Sequence, residues 1–345
     1  MIPFDVDPES LHDSPVSPHE AWTRIGVAAR MLRELDMSEY ALLKAMEIDP
    51  TVATRIRLAH TLQWQGRFDE AHQEFARCLD SGELTGYVHQ HWGKCFYDQG
   101  NWVRAVEHFT LAAELREGGD PSLVSSTALA LDAADACLTA SLVAVELNRL
   151  VPAVHRSSAR PRIRPPHLWV LADVASLLPA PLDVVCAVHR YHAEQRDLGL
   201  LELAREGWIT VTDVVAPTEH AVPFLAEINA HHAAAADAMW PDAPSLDIAV
   251  DHPFSAAVTG ETPGARLFDQ LRALRYHRAD AHAAAWQAEG LSIEGVRALR
   301  DDDPVRMRIE ASTDRVAARP YRALSREARA ALLETLRGLA GDSVV

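Results

Sequence analysis

Apolar residues recur along most of the chain at three- and four-residue steps, which predicts helices almost throughout. Between Thr54 and Glu117 one pattern is written twice, 34 residues apart. Leu58, Ala59, Leu62, Gly66, Ala71, Phe75 and Cys78 correspond to Trp92, Gly93, Phe96, Gly100, Ala105, Phe109 and Ala112. Each copy predicts two antiparallel helices joined at a turn glycine. Such a pair cannot bury its apolar face alone, so it stacks on its neighbours. A fainter copy lies upstream in Trp22, Gly26, Leu42, Ala45 and the closing Ile48-Asp49-Pro50. Downstream, Leu123, Ala128, Leu131, Ala134 and Leu138 keep helical spacing through Ser122 to Leu150 and predict a cap for the stack.

The pattern changes after residue 150. Residues 151–167 interleave arginine, serine and proline and predict a linker, either solvated or acting as a basic tether for an acidic partner. Beyond it, helices are expected over Leu168–Leu178 and Leu182–His192, then from Leu198 to a turn at Gly207. Trp208–Thr212 and Asp213–Ala216 predict a short wing, and Pro217-Thr218 opens a helix to Trp240. This is the element order of a degenerate winged helix. Its third helix offers Leu198, Leu200, Leu201, Glu202 and Leu203, which reads as a core helix rather than a DNA-reading one. A long loop, Pro241 to Ala265, suggests a lid, a partner site or a surface crossing. In the helix Leu267–Trp286, Leu267, Leu271, Leu274 and Ala285 mark the buried face; continuing that stripe brings Arg278 and His282 onto it, with His277 and Asp280 elsewhere.

The 34-residue period, its turn glycines and its alanine and aromatic offsets resemble the tetratricopeptide repeat over residues 19 to 118. Arg55, in place of a packing aromatic, and Glu83, in place of a closing proline, depart from it. The resemblance implies a superhelix whose concave face is built by first-helix residues. Carried over, these include Thr23, Arg24 and Arg30 upstream, Ile56, Arg57, His60, Gln63 and Trp64 in the middle copy, and Tyr87, Gln90, His91, Lys94, Tyr97 and Asp98 in the last. The lysine and asparagine clamp of the chaperone-binding repeats is not reproduced. Weaker and less specific, residues 180–345 resemble an uncharacterised actinobacterial helix-turn-helix-like family with an Arg-x-Asp-x-His string, matched here by Arg278, Asp280 and His282.

Composition narrows the choice. Residues 1–150 carry 12 Lys and Arg against 23 Asp and Glu, a balance of −11, and the whole chain stands at −16. That balance argues against nucleic acid or an anionic membrane as the main partner. The chain has two lysines, Lys44 and Lys94, and abundant alanine, which suggests a GC-rich bacterial genome. The start Met1-Ile2-Pro3-Phe4-Asp5 does not read as a signal peptide, and no run of about 18 apolar residues is evident, so a cytoplasmic protein without a membrane span is expected. Cys78, Cys95, Cys137 and Cys186 form no C-x-x-C pair, and Cys78 and Cys95, inside repeat helices, read as small core residues.

The expected architecture is all-α: an extended lead-in over 1–18, tetratricopeptide repeats with capping helices over 19–150, a linker over 151–167 and a helical winged-helix-derived domain over 168–345. The foremost expectation is an adaptor that holds a peptide or protein, acidic in character, with Arg24, Arg57, His60, Trp64, Tyr87, His91, Lys94 and Tyr97. The alternatives are an enzyme acting around Arg278, Asp280 and His282, and a transcription regulator. A metal, if any, would draw on His282 with His189 and His192, or with His231 and His232; the cofactor is unknown from sequence.

Overall fold

A computed structural model describes residues 16–246 and 248–341, so most of the expected lead-in lies outside the described residues. The chain divides into two compact units at Asp135 and Ala136. Unit 1 contains α1 (Pro18–Met31), α2 (Leu35–Ile48), α3 (Val52–Trp64), α4 (Phe68–Asp80), α5 (Thr85–Gln99) and α6 (Trp102–Leu115). Each of these helices packs on the next, giving three consecutive pairs in a stack.

The turns and close approaches follow from the repeated residues. Gly66 and Gly100 adopt φ of 78° and 81°, a left-handed conformation that costs glycine little. A Cβ on Gly93 would come within 2.8 Å of the Phe109 ring, and one on Gly26 within 2.6 Å of Leu42. Leu42 and Phe109 each stand sixteen places after their glycine, and Ala59 and Phe75 keep the same interval within one core cluster. The first pair therefore precedes the second by 33 residues rather than 34. Ser38 occupies the place of Ala71 and Ala105, and its hydroxyl reaches the Gly26 carbonyl at 2.7 Å and the Thr61 hydroxyl at 2.8 Å. Arg55, in its unusual position, pairs with Glu74 at 2.6 Å.

Helix α7 (Pro121–Ser157) corrects one expectation. It runs 37 residues, with Pro152 inside it, so the first half of the expected linker is helical. It is also the one described helix long and apolar enough, by length and composition, to cross a bilayer; 44% of its apolar window is buried. Asp132 and Asp135 interrupt the apolar sequence there, which hid the segment from a search for an unbroken run.

Unit 2 follows the expected order closely: α8 (Leu168–Val174), β1 (Ala180–Pro181), α9 (Leu182–Val188), a 3-10 turn (Arg190–His192), α10 (Ala193–Arg205), β2 (Ile209–Val211) and β3 (Val214–Pro217). The strands form an antiparallel sheet in the order β1-β3-β2, with Ala180 opposite Val215 and Ile209 opposite Pro217. Its core joins Val170, Leu171, Val185, Leu203, Trp208, Val215 and Phe224. One expectation fails in part. Leu200 and Leu203 are buried, but Leu198 and Leu201 are 49% and 59% exposed, so α10 carries apolar residues on its outer face as well.

The remaining helices are α11 (Val222–Met239), α12 (Pro263–Ala288), α13 (Ile293–Ala298), α14 (Pro304–Ala317) and α15 (Arg326–Gly341). The long loop before α12 is tied down: the Gln270 side chain bonds both the N–H and the carbonyl of Leu246, and Phe254 is fully buried. Arg272, 2% exposed, lies 4.2 Å from the Phe254 ring and 5.2 Å from that of Phe268. It donates to the Thr259 hydroxyl at 3.1 Å and the Ser176 hydroxyl at 2.8 Å, and faces Asp269 at 3.5 Å. Burying an arginine is tolerable only with such partners.

Candidate functional site

The first helices of the three pairs line one cavity of about 540 Å³ in unit 1. Arg30 comes from α1, His60, Gln63 and Trp64 from α3, and His91, Lys94, Tyr97 and Asp98 from α5, with Phe109 behind them. Tyr87 flanks His91 with ring centres 4.2 Å apart, and His60 meets His91 at 4.4 Å. Arg30 and Arg33 lie 5.6 and 4.2 Å from the Trp64 ring centre, and Arg116 lies 5.8 Å from that of Tyr87. Arg57 stands beside Arg30, whose guanidinium reaches the Arg57 carbonyl at 3.5 Å. The result is a row of rings edged by cations.

The charges around this groove are distributed unevenly. Elsewhere in unit 1, Arg24, Lys44, Arg55, Arg67, Arg77 and Arg104 each pair with a glutamate between 2.5 and 2.9 Å. Arg30, Arg33, Arg57, Lys94 and Arg116 are the other basic residues of the unit, and none lies within 4.0 Å of a carboxylate among the described residues. Arg30 and Lys94 line the groove; Arg33 lies over Trp64, Arg57 beside Arg30 and Arg116 over Tyr87. Burial lowers the pKa of Arg30, and Arg57 lowers it further; burial and then Arg116 do the same to Lys94. Burial first, then neighbouring charge, holds His60 well below its ordinary value and pushes His91 down to about 3, so both stay uncharged near neutrality. Arg30 Nε, Gln63 Oε1 and His91 Nδ1 are buried without a hydrogen-bond partner among the described residues.

In unit 2, a polar cavity of about 690 Å³ collects several of the other nominated residues, including His189, His192, Arg278 and His282. Arg278 donates to Asp314 at 2.5 Å and to Glu310 at 3.4 Å, tying α12 to α14. His282 Nδ1 faces the Tyr191 hydroxyl at 3.0 Å, and its Nε2 lies 3.6 Å from Glu310 Oε1. With Nδ1 unprotonated, Tyr191 donates to it, while Nε2 is buried without a hydrogen-bond partner among the described residues, so the carboxylate stands beside the imidazole without a bond to it. Asp280 faces elsewhere, paired with Arg190 and with His252 at 3.4 Å. The described residues contain no group of three His, Cys, Asp or Glu side chains placed to share one metal ion. His189 Nε2 instead meets the Val170 carbonyl at 3.1 Å.

No protein-family model matches this chain, and no curated protein or solved structure is significantly similar to it. Its geometry must speak for itself.

Of the residues nominated for the groove, His60, Trp64, His91, Lys94 and Tyr97 line the cavity, while Arg57 and Tyr87 flank it. Arg24 does not reach it. Its side chain is 65% exposed and bonds Glu20 one helical turn earlier at 2.5 Å. Arg33 and Arg116 were missed because they lie past the ends of α1 and α6, where a first-helix rule does not look. Tyr191 and Glu310 were missed for another reason: sequence spacing gives no hint that residues so far apart meet. Cys78 and Cys95 are buried as expected, and burial lifts their thiols to about 11 and about 12.

Proposed function

We propose that unit 1 is a tetratricopeptide-repeat stack and that its groove binds an acidic segment of a peptide or protein partner. The observation that carries this reading is the sorting of charge: six basic residues of the unit have acidic partners, and of the five without one, Arg30 and Lys94 line a single groove while Arg33, Arg57 and Arg116 stand beside its residues. Desolvated cations that repel one another gain most from a carboxylate supplied from outside. Trp64, Tyr87 and Tyr97 add ring faces for apolar or aromatic side chains between the acids. The acidic surroundings favour a short segment over duplex nucleic acid. A segment confined to the groove meets the cations directly, whereas a duplex lays phosphates across the acidic surface too. Within this reading α7 is a core helix and the protein a soluble adaptor.

Panning a random peptide library against the whole chain tests the proposal. Recovered sequences should be enriched in Asp and Glu with interspersed aromatics, and should lose at least tenfold in affinity, about 1.4 kcal/mol, against Lys94→Ala or Arg57→Ala. Recovery of sequences without acidic bias, or unchanged affinity in both variants, would rule it out.

The Tyr191–His282 hydrogen bond, with the unbonded Nε2 of His282 facing the cavity's carboxylate Glu310, supports a second reading, in which unit 2 performs acid–base chemistry on a docked substrate. It requires a turnover that His282→Ala abolishes while the melting temperature holds; a variant as active as the parent excludes it.

A further inference from the structure

The cavity of unit 2 contains two ions of opposite sign that its own wall leaves unpaired. Asp173, at the end of α8, keeps a side chain 37% exposed, and its nearest basic group among the described residues is His189 Nδ1 at 3.8 Å. That separation is beyond hydrogen-bond reach, and the other ring nitrogen, Nε2, is committed to the Val170 carbonyl at 3.1 Å. Arg275, on α12, donates Nε to Asn148 Oδ1 at 3.3 Å and lies 5.6 Å from the Tyr276 ring centre. It has no carboxylate within 4.0 Å among the described residues. Other ions of the same wall are engaged, Arg278 with Asp314 at 2.5 Å and Glu310 with Arg278 at 3.4 Å.

Asp173 and Arg275 line one cavity of about 690 Å³ and yet make no ion pair with each other. Two opposite charges held apart in one pocket lose hydration without mutual gain, unless a ligand supplies the complement of each. Trp169, Tyr191 and Tyr276 line the same cavity and add ring surface to it. Its volume lies in the range of small-molecule sites.

We propose that this cavity binds a small zwitterion of the amino-acid type, its ammonium group on Asp173 and its carboxylate on Arg275. The site shares no residue with the groove of unit 1, and it does not depend on whether the neighbouring Tyr191 and His282 move a proton.

Calorimetric titration of the full chain with the twenty proteinogenic L-amino acids, each beside its amide and its N-acetyl derivative, tests the assignment. At least one free amino acid should bind with a Kd of about 1 mM or tighter. Its amide, which lacks the carboxylate, and its acetylated form, which lacks the ammonium group, should each bind at least tenfold more weakly. Arg275→Gln should erase the distinction between acid and amide, and Asp173→Asn that between free and acetylated amine. Absence of binding by all twenty, equal binding of the derivatives, or a loss confined to one derivative would overturn the proposal. The comparison of derivatives uses the unaltered chain and holds even where a variant fails to fold.

Discussion

The groove of unit 1 and the polar cavity of unit 2 are built from similar side chains, arginine, histidine and tyrosine, but they treat charge in opposite ways. Around the cavity, Arg190 and Arg278 are matched to carboxylates on neighbouring elements, and the pairs hold α12 against its surroundings. Around the groove, Arg30, Arg33, Arg57, Lys94 and Arg116 face one another and the rings, while glutamates neutralise cations elsewhere in the unit. An ion that has a partner is part of the architecture; an ion that lacks one is available to something else. Arg275 and Asp173 make the same distinction inside unit 2, on a smaller scale.

Substitutions should therefore separate the two kinds of arginine. The largest effect is expected at Arg272, whose removal leaves buried Asp269 without its guanidinium. Arg272→Ala should destabilise the protein by about 3–5 kcal/mol in urea unfolding, with part recovered when Asp269 is also made apolar. Arg278→Ala withdraws charge-assisted bonds from Asp314 and Glu310 and should cost about 1.5–3 kcal/mol by the same measurement. Acid should weaken both units. His91 and His232, one in each, are pushed down to about 3 by burial, so below about 6.5 the unfolded chain binds protons that the folded chain does not. Their contribution is full above pH 6.5 and is lost toward pH 3, at up to about 1.4 kcal/mol per pH unit for each; His91→Gln should flatten the acid limb of a stability curve. Arg57→Ala and Lys94→Ala should change stability least, by no more than about 0.5 kcal/mol, since they break no ion pair. A large loss of stability at either residue would remove the contrast.

Much of this organisation is legible in the sequence, for identifiable reasons. Gly66 and Gly100 must take left-handed turns, and the glycines of α1 and α5 must let a large side chain approach, so the stack is written in residues few others can replace. Its first pair was blurred by a loop one residue shorter and by Ser38 in place of alanine. The order of helices and strands in unit 2 was visible because Gly207, with φ of 78°, ends one helix just before the strands. The sites were less visible. A position rule finds first-helix residues, but it cannot say that Arg24 turns to Glu20 or that Arg116 reaches back over Tyr87. Contacts such as Tyr191 with His282 depend on how α12 meets the turn before α10, which no local pattern records.

The central claim is that the unpaired cations of the groove select acidic ligands, and a charge reversal tests it most directly. Lys94→Glu should abolish binding of the acidic peptides recovered against the parent chain and allow Lys- and Arg-rich versions of them to bind, with the melting temperature preserved. Undiminished binding of the acidic peptides by a folded Lys94→Glu variant would contradict the account.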